Sequence, residues 1–278
     1  MSRDTGWSWK VADEVLNPGL NLRYEPGCWG DLLKHAWALH VADALLAARE
    51  GPLRLLDPYA GAPDYPLTEP TARRARGLPL PLLSARLASH EAAQRFPSTA
   101  RLVIDRWREA ERLGGAEVFD ADSGRRGAWA GSELAQVLQL ESGEEAFAPA
   151  SPAARGADLC LLDPYDLFDR SEPVLAHALE ASRGGALLCY LFNKSPRAVK
   201  SWRRYQDLRA RLERLRAADG RPLLVGRVPS DSLLPRAYHE VWLLAEPGLL
   251  DPLQEILVPL SEALCEHVAR QGCWEREG

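Results

Sequence analysis

Two short segments of the chain end an apolar run on an aspartate followed by a proline: Leu55-Leu56-Asp57-Pro58-Tyr59-Ala60-Gly61 and Leu161-Leu162-Asp163-Pro164-Tyr165-Asp166. A carboxylate at the end of a buried strand can hold a cation or accept hydrogen bonds, and small residues after it let a ligand approach the backbone. In the second segment, Asp163 and a neighbouring backbone carbonyl would accept N–H groups from an exocyclic amine and turn its lone pair toward a methyl donor, while a ring such as Tyr165 stacks on the base. Asp-Pro after a strand is also a common turn, so either segment alone says little. Two of them, 106 residues apart on strands that would be neighbours in a parallel sheet, say more. A third acid, in Val118-Phe119-Asp120, stands where nucleoside-binding α/β folds place the carboxylate for the ribose hydroxyls. Asp122 is its substitute, and a plain helix cap is the alternative.

Other chemistries find no foothold. There is no GxGxxG turn for a dinucleotide, no phosphate-binding loop and no Ser-His-Asp signature. His35 and His40 are five residues apart on one predicted helix, off the spacing of a metal-binding pair, and no metal is expected. The cysteines lack a CxxC pair, and Cys160 and Cys189 sit in apolar runs as expected core thiols. With 34 Lys and Arg against 39 Asp and Glu the net charge is −5, which disfavours a surface coated in basic charge but leaves room for a local patch. Two clusters qualify. Between Lys194 and Arg216 stand nine basic residues and two acids, with Trp202 and Tyr205 interleaved, and a solvated helix face is the preferred reading of that stretch. Arg73, Arg74 and Arg76 are better placed to meet the phosphates of a substrate.

The elements that must position these residues follow from the hydropathy pattern. Strands are expected at Leu53–Leu56, Ala116–Phe119, Leu159–Leu162, Ala186–Phe192, Leu223–Val228 and Val241–Ala245, with a weaker one at Val137–Leu140. Amphipathic helices are expected over Asp31–Arg49, about Pro196–Ala218 and about Pro252–Arg270. Strands alternating with helices predict a mostly parallel α/β sheet, seven strands in all. The last two are joined by about ten residues without a helix, and so run antiparallel to each other. Between Asp57 and Ala116 lie 58 residues, where a whole βα crossover needs roughly 30. The surplus, about residues 65–95, reads as a helical insertion into a single domain spanning 1–278, leaving the sheet beside the first strand's carboxyl end.

With these residues in place the chain resembles the family of the bacterial ribosomal large subunit methyltransferase J, which uses S-adenosylmethionine to methylate N6 of an adenine in 23S ribosomal RNA. The resemblance runs from about Leu20 to Trp274. It rests on Gly30-Asp31-Leu32-Leu33-Lys34-His35, similar to the family's ADVLKH stretch, on the loop Asp57–Tyr65, on Phe96-Pro97-Ser98-Thr99, and on Asp163-Pro164-Tyr165, where the family has DPPY. It implies a class I methyltransferase-like, Rossmann-like fold with S-adenosylmethionine as cofactor. Lys34 would meet the cofactor carboxylate, Asp57, Tyr59 and Gly61 would line its loop, and Thr99 and Ser142 would complete the cofactor site. Asp120 would hold the ribose, and Asp163, Pro164 and Tyr165 would carry catalysis. Departures accompany these matches: Pro63 replaces a glycine, Ser142-Gly143 replaces an aspartate-glycine, and Asp166 follows the tyrosine.

The expected activity is therefore methyl transfer to an amine of RNA, 23S ribosomal RNA by resemblance. The alternatives are a non-catalytic binding or scaffold protein on the same fold, suggested by those departures, and a methyltransferase acting on another acceptor. No apolar run reaches the length of a membrane span and no signal core opens the chain, so a soluble cytoplasmic protein is expected.

Overall fold

The computed structural model describes residues 16–17, 22–23, 26–120, 123–130, 137–140, 156–163, 167–193, 199–230 and 238–274. In chain order the elements are β1 (Leu16–Asn17), β2 (Leu22–Arg23), α1 (Trp29–Ala48), β3 (Leu53–Asp57), β4 (Asp64–Pro66), α2 (Glu69–Ala75), α3 (Pro81–Ala92), β5 (Arg95–Pro97) and α4 (Thr99–Glu109). They continue with β6 (Leu113–Phe119), α5 (Ser123–Ala130), β7 (Val137–Leu140), β8 (Leu159–Leu162), α6 (Leu167–Ala181), β9 (Ala186–Asn193), α7 (Val199–Asp219), β10 (Leu223–Pro229), β11 (Tyr238–Ala245) and α8 (Pro247–Trp274).

The main sheet runs β10-β11-β9-β8-β3-β6-β7. From β9 to β7 every pairing is parallel, while β11 is antiparallel to both β9 and β10. A mostly parallel sheet with an antiparallel end is thus the observed architecture. The two-residue period of each strand divides its side chains between two cores. Leu159, Leu161, Leu188, Val241 and Leu243 join the core beneath α1, α4 and α8. Cys160, Leu162, Leu187, Cys189, Trp242 and Leu244 join the core shared with α6 and α7. Burial raises the thiols of Cys160 and Cys189 above the usual range, so both pack as core side chains.

Helix α1 lies against α4 on one side and α8 on the other, over the sheet. Leu32, Leu33, Trp37, Leu39, Val41 and Leu45 are each fully buried, a distribution too broad for one amphipathic stripe. Its Trp37 indole N–H donates to Ser261 Oγ of α8 at 3.0 Å, and the Trp107 indole of α4 donates to the Ala42 carbonyl at 3.3 Å. The first two turns of so enclosed a helix also carry Asp31, Lys34 and His35, which must find partners inside the protein.

Between β3 and α4 the chain runs through β4, α2, α3 and β5, with β4 and β5 paired antiparallel so that Asp64 faces Pro97. Thr68 caps α2 by accepting the Thr71 N–H, and Ser98 caps α4 by accepting the Arg101 N–H. Among the described residues no helix is long and apolar enough to cross a membrane.

Candidate active site

Three neighbouring strands, β8, β3 and β6, each hand over an aspartate at their carboxyl ends: Asp163, Asp57 and Asp120. From β3 the chain moves outward to β6 and β7, then returns on the other side of β3 with β8. Strand order therefore reverses between β3 and β8, and open α/β sheets bind ligands beyond the carboxyl ends of their strands at such a point.

The three carboxylates are held differently. Asp57 is 4% exposed, and its Oδ1 accepts the Tyr59 N–H at 3.0 Å. Burial pushes its carboxyl up to about 7, with the charges of Asp163 and Asp120 adding to the rise and the Tyr59 N–H and Lys34 opposing it. Asp120 pairs with Arg125 of α5 at 2.9 Å, and Arg126 donates to the Asp120 carbonyl at 2.8 Å. Asp163 is paired with Lys34 of α1, although 28% of its side chain remains exposed. Burial raises the Asp163 carboxyl, and Lys34 limits the rise.

Lys34 also donates to Asp31 Oδ1 at 3.1 Å, while Asp31 Oδ2 accepts the Gly27 N–H at 2.9 Å at the start of α1. Burial disfavours the Lys34 charge, but Asp163 and Asp31 more than offset it and hold the ammonium well above the usual lysine range. Burial likewise works against the Asp31 carboxylate, yet Lys34, His35 and the Gly27 N–H keep it below its ordinary range.

The loop after β3 is pinned from three directions. The Ala60 N–H donates to the Phe119 carbonyl at the end of β6 (3.0 Å), the Trp129 indole of α5 donates to the Gly61 carbonyl (2.8 Å), and the Tyr65 hydroxyl accepts the Ala62 N–H (3.2 Å). Gly61 has φ +66°, and a Cβ there would run into the Tyr65 hydroxyl, so only glycine fits. Pro63 contributes its carbonyl, which accepts the Ser98 N–H at 2.9 Å. Thr99 bonds to His35 Nδ1 at 2.9 Å, and the other ring nitrogen of His35 meets the Pro97 carbonyl at 2.9 Å. The carbonyl needs a donor, so Nε2 carries the proton and the Thr99 hydroxyl donates to Nδ1. Thr99 thus faces α1 through His35.

This electrostatic arrangement fixes how stability responds to pH. Burial lowers His35 and His239 to about 4 from an ordinary value near 6.5, so the unfolded chain binds protons there that the folded chain refuses. Their stabilising contribution is present above about pH 6.5 and is lost as pH falls toward 4. Asp57 has the opposite sign: its folded carboxyl keeps a proton up to about 7, which the unfolded chain has released by about pH 4, so its contribution falls as pH rises through that window. Asp57→Asn, which retains an oxygen for the Tyr59 N–H, is expected to melt several degrees above the wild type at pH 8. Thermal scans should show the difference narrowing as pH falls below 7 and closing only near pH 4.

Among the other residues singled out by sequence, Arg73 and Arg76 are exposed on or beside α2, and Arg74 is half-buried. Arg76 pairs with Glu69 at 3.6 Å on the exposed surface, a contact of little energetic weight. Arg74 is near enough to His239 to oppose its protonation. Pro164, Tyr165, Asp166, Asp122 and Ser142 lie outside the described residues, as do the side chains of Trp202 and Tyr205. Sequence reasoning missed Asp31, Arg125, Trp129, Tyr190 and His239. Asp31 alone had a local signal, three residues before Lys34 on the same helical face.

No protein-family model and no curated protein matches the sequence. Among solved structures the chain is similar to protein LPL1258 from Legionella pneumophila str. Philadelphia 1, at TM-score 0.63 and 13% identity, over 87% of this chain and 94% of that one. This likeness shows a shared fold. Fainter ones reach an rRNA methylase from Streptococcus thermophilus, at TM-score 0.38 and 11% identity over 74% of this chain and 93% of that one. Spermidine synthase from Thermotoga maritima follows, at TM-score 0.42 and 10% identity over 84% of this chain and 68% of that one. At such scores neither fixes an activity.

Proposed function

We propose that the protein is an S-adenosylmethionine-dependent methyltransferase whose acceptor is the N6 amine of an adenine in ribosomal RNA. The observation that carries this reading is the row of three aspartates at the carboxyl ends of adjacent strands β8, β3 and β6, beside the reversal of strand order. Such a row suits a ligand that is cationic at one end and has ribose hydroxyls near its middle. When bound, the cofactor would supply a methyl group on a sulfonium.

Each side chain then has a task of its own. Asp57, buried and short of cations, would receive the cofactor's ammonium, and losing its proton to do so is easy for a carboxyl that titrates near 7. Asp120 would share its carboxylate between Arg125 and the ribose hydroxyls. The pinned loop around Gly61 would present backbone with no side chain in the way. Asp163, with one oxygen on Lys34, keeps the other to accept an N–H of the acceptor amine. Arg73 and Arg74 of α2 would meet phosphates of the RNA, where each phosphate contact adds to affinity and to its salt dependence.

A second reading, a non-catalytic ligand-binding protein on the same fold, is favoured by one observation: Asp120 and Asp163 already carry cations of the chain itself. Incubation with methyl-labelled cofactor and unmodified 23S ribosomal RNA separates the possibilities. The expected result is label recovered as N6-methyladenine. Label on another acceptor would leave the methyltransferase and remove the RNA substrate. Cofactor binding with no transfer to RNA or small amines would favour the second reading.

A further inference from the structure

We infer that Tyr190 and His239 are positioning residues of this site: the Tyr190 ring is the seat that holds the Lys34 ammonium against Asp163, and His239 fixes the ring. The role rests on the methyltransferase reading only for what Asp163 receives.

Strands β8 and β9 are parallel with Leu162 opposite Cys189, so the next residues along, Asp163 and Tyr190, stand side by side. Lys34 Nζ lies 4.9 Å from the Tyr190 ring centroid. An ammonium has three N–H donors. Two are directed to Asp31 Oδ1 and Asp163 Oδ2, and the negative face of the Tyr190 ring attracts the remaining positive charge. The ring therefore occupies a place where a third carboxylate would overcharge the cluster and an aliphatic side chain would leave the ammonium unsatisfied.

The ring is itself held. Tyr190 Oη lies 2.6 Å from His239 Nδ1, and the two rings stack at 5.9 Å with 21° between their planes. His239 is 6% exposed and stays neutral, since burial and the nearby Lys34 and Arg74 oppose its protonation, so its ring nitrogen can accept a hydrogen bond from the Tyr190 hydroxyl. Helix α1 rests directly on this pair. A Cβ at Gly30 would lie 2.5 Å from Tyr190 Oη and 2.6 Å from the His239 ring, so the helix approaches this closely only because residue 30 has no side chain. Lys34, one turn further along α1, is thereby set at a fixed height above the ring.

The test uses the full chain labelled with 15N, following the side-chain ammonium resonance of Lys34 and its hydrogen exchange, a readout that needs no enzymatic activity. Tyr190→Leu is expected to speed Lys34 ammonium exchange at least about tenfold, roughly the weight of a desolvated cation–π contact. Tyr190→Phe, which keeps the ring but loses the His239 bond that fixes it, should fall between the wild type and Tyr190→Leu. Unchanged Lys34 exchange in folded Tyr190→Leu would overturn the inference. Should that variant fail to fold, His239→Gln decides: exchange intermediate between the wild type and a Lys34–Asp163 pair broken by Asp163→Ala supports it, and wild-type exchange overturns it. With an acceptor in hand, Tyr190→Leu should lower kcat about tenfold at unchanged KM for the methyl donor. If the wild type binds no cofactor, the methyltransferase reading fails while Lys34 exchange still judges the role of Tyr190.

Discussion

Lys34→Met is expected to lower the unfolding free energy by about 3–5 kcal/mol, the range for removing one partner from a buried ion pair. For a chain of this size that corresponds to roughly 10 °C or more in melting temperature. The reason lies in what is left behind. Asp31 and Asp163 share the ammonium in the first turns of α1, and without it two carboxylates face one another in a poorly solvated space. The methionine fills a similar volume, so packing changes little. Adding Asp163→Asn to Lys34→Met should return part of the loss, because one of the stranded charges is removed. Denaturant unfolding of the single and double variants at pH 7 measures both effects. A loss below about 1 kcal/mol would mean that the Lys34 cluster is solvated like a surface pair.

Asp163→Ala should reduce methyl transfer by at least about a thousandfold while cofactor affinity stays within about twofold. A positioned hydrogen-bond acceptor contributes by holding the amine lone pair in line with the methyl group, and misplacement of a reacting group by about 1 Å can cost a hundredfold. Alanine removes both the acceptor oxygen and the partner that keeps Lys34 in place. Asp163→Asn retains an oxygen for the amine and should fall between alanine and wild type. That ordering separates catalysis from folding, since both variants cost Lys34 the same ionic partner. Equal turnover by all three would remove Asp163 from the reaction.

The strands and the acids at their ends were readable from sequence because both signals are local. An aspartate closing Leu55-Leu56 or Leu161-Leu162 announces a carboxylate at the edge of a buried strand before any fold is known. The expected ranges of the principal strands agree with the observed ones within about three residues at either end, as at Val137–Leu140 and Leu159–Leu162. The short pairs β1–β2 and β4–β5 escaped notice: they are two or three residues long, too short for an alternating pattern, and β4 and β5 each end on a proline.

The second layer of the site was invisible for a different reason. Tyr190 and His239 lie on strands where they read as ordinary core positions, and they meet only because β11 inserts antiparallel beside β9. Arg125 looked like one of many surface arginines, yet α5 returns it to Asp120. Thr99, matched by resemblance to the cofactor site, bonds to His35, and the His35 ring stacks on Phe96 at 5.2 Å. Contacts of this kind are made by sheet order and helix placement, and no spacing along the chain encodes them.

The most direct test of the cofactor site is calorimetric titration of S-adenosylhomocysteine and S-adenosylmethionine at pH 7, repeated in two buffers of different ionisation enthalpy. The expected result is micromolar binding accompanied by net proton release, since Asp57 titrates near 7 and ionises as an ammonium arrives beside it. Asp57→Ala should abolish both the affinity and the buffer dependence. No heat at millimolar ligand, with an unchanged melting temperature, would contradict a cofactor site at the carboxyl ends of β3, β6 and β8.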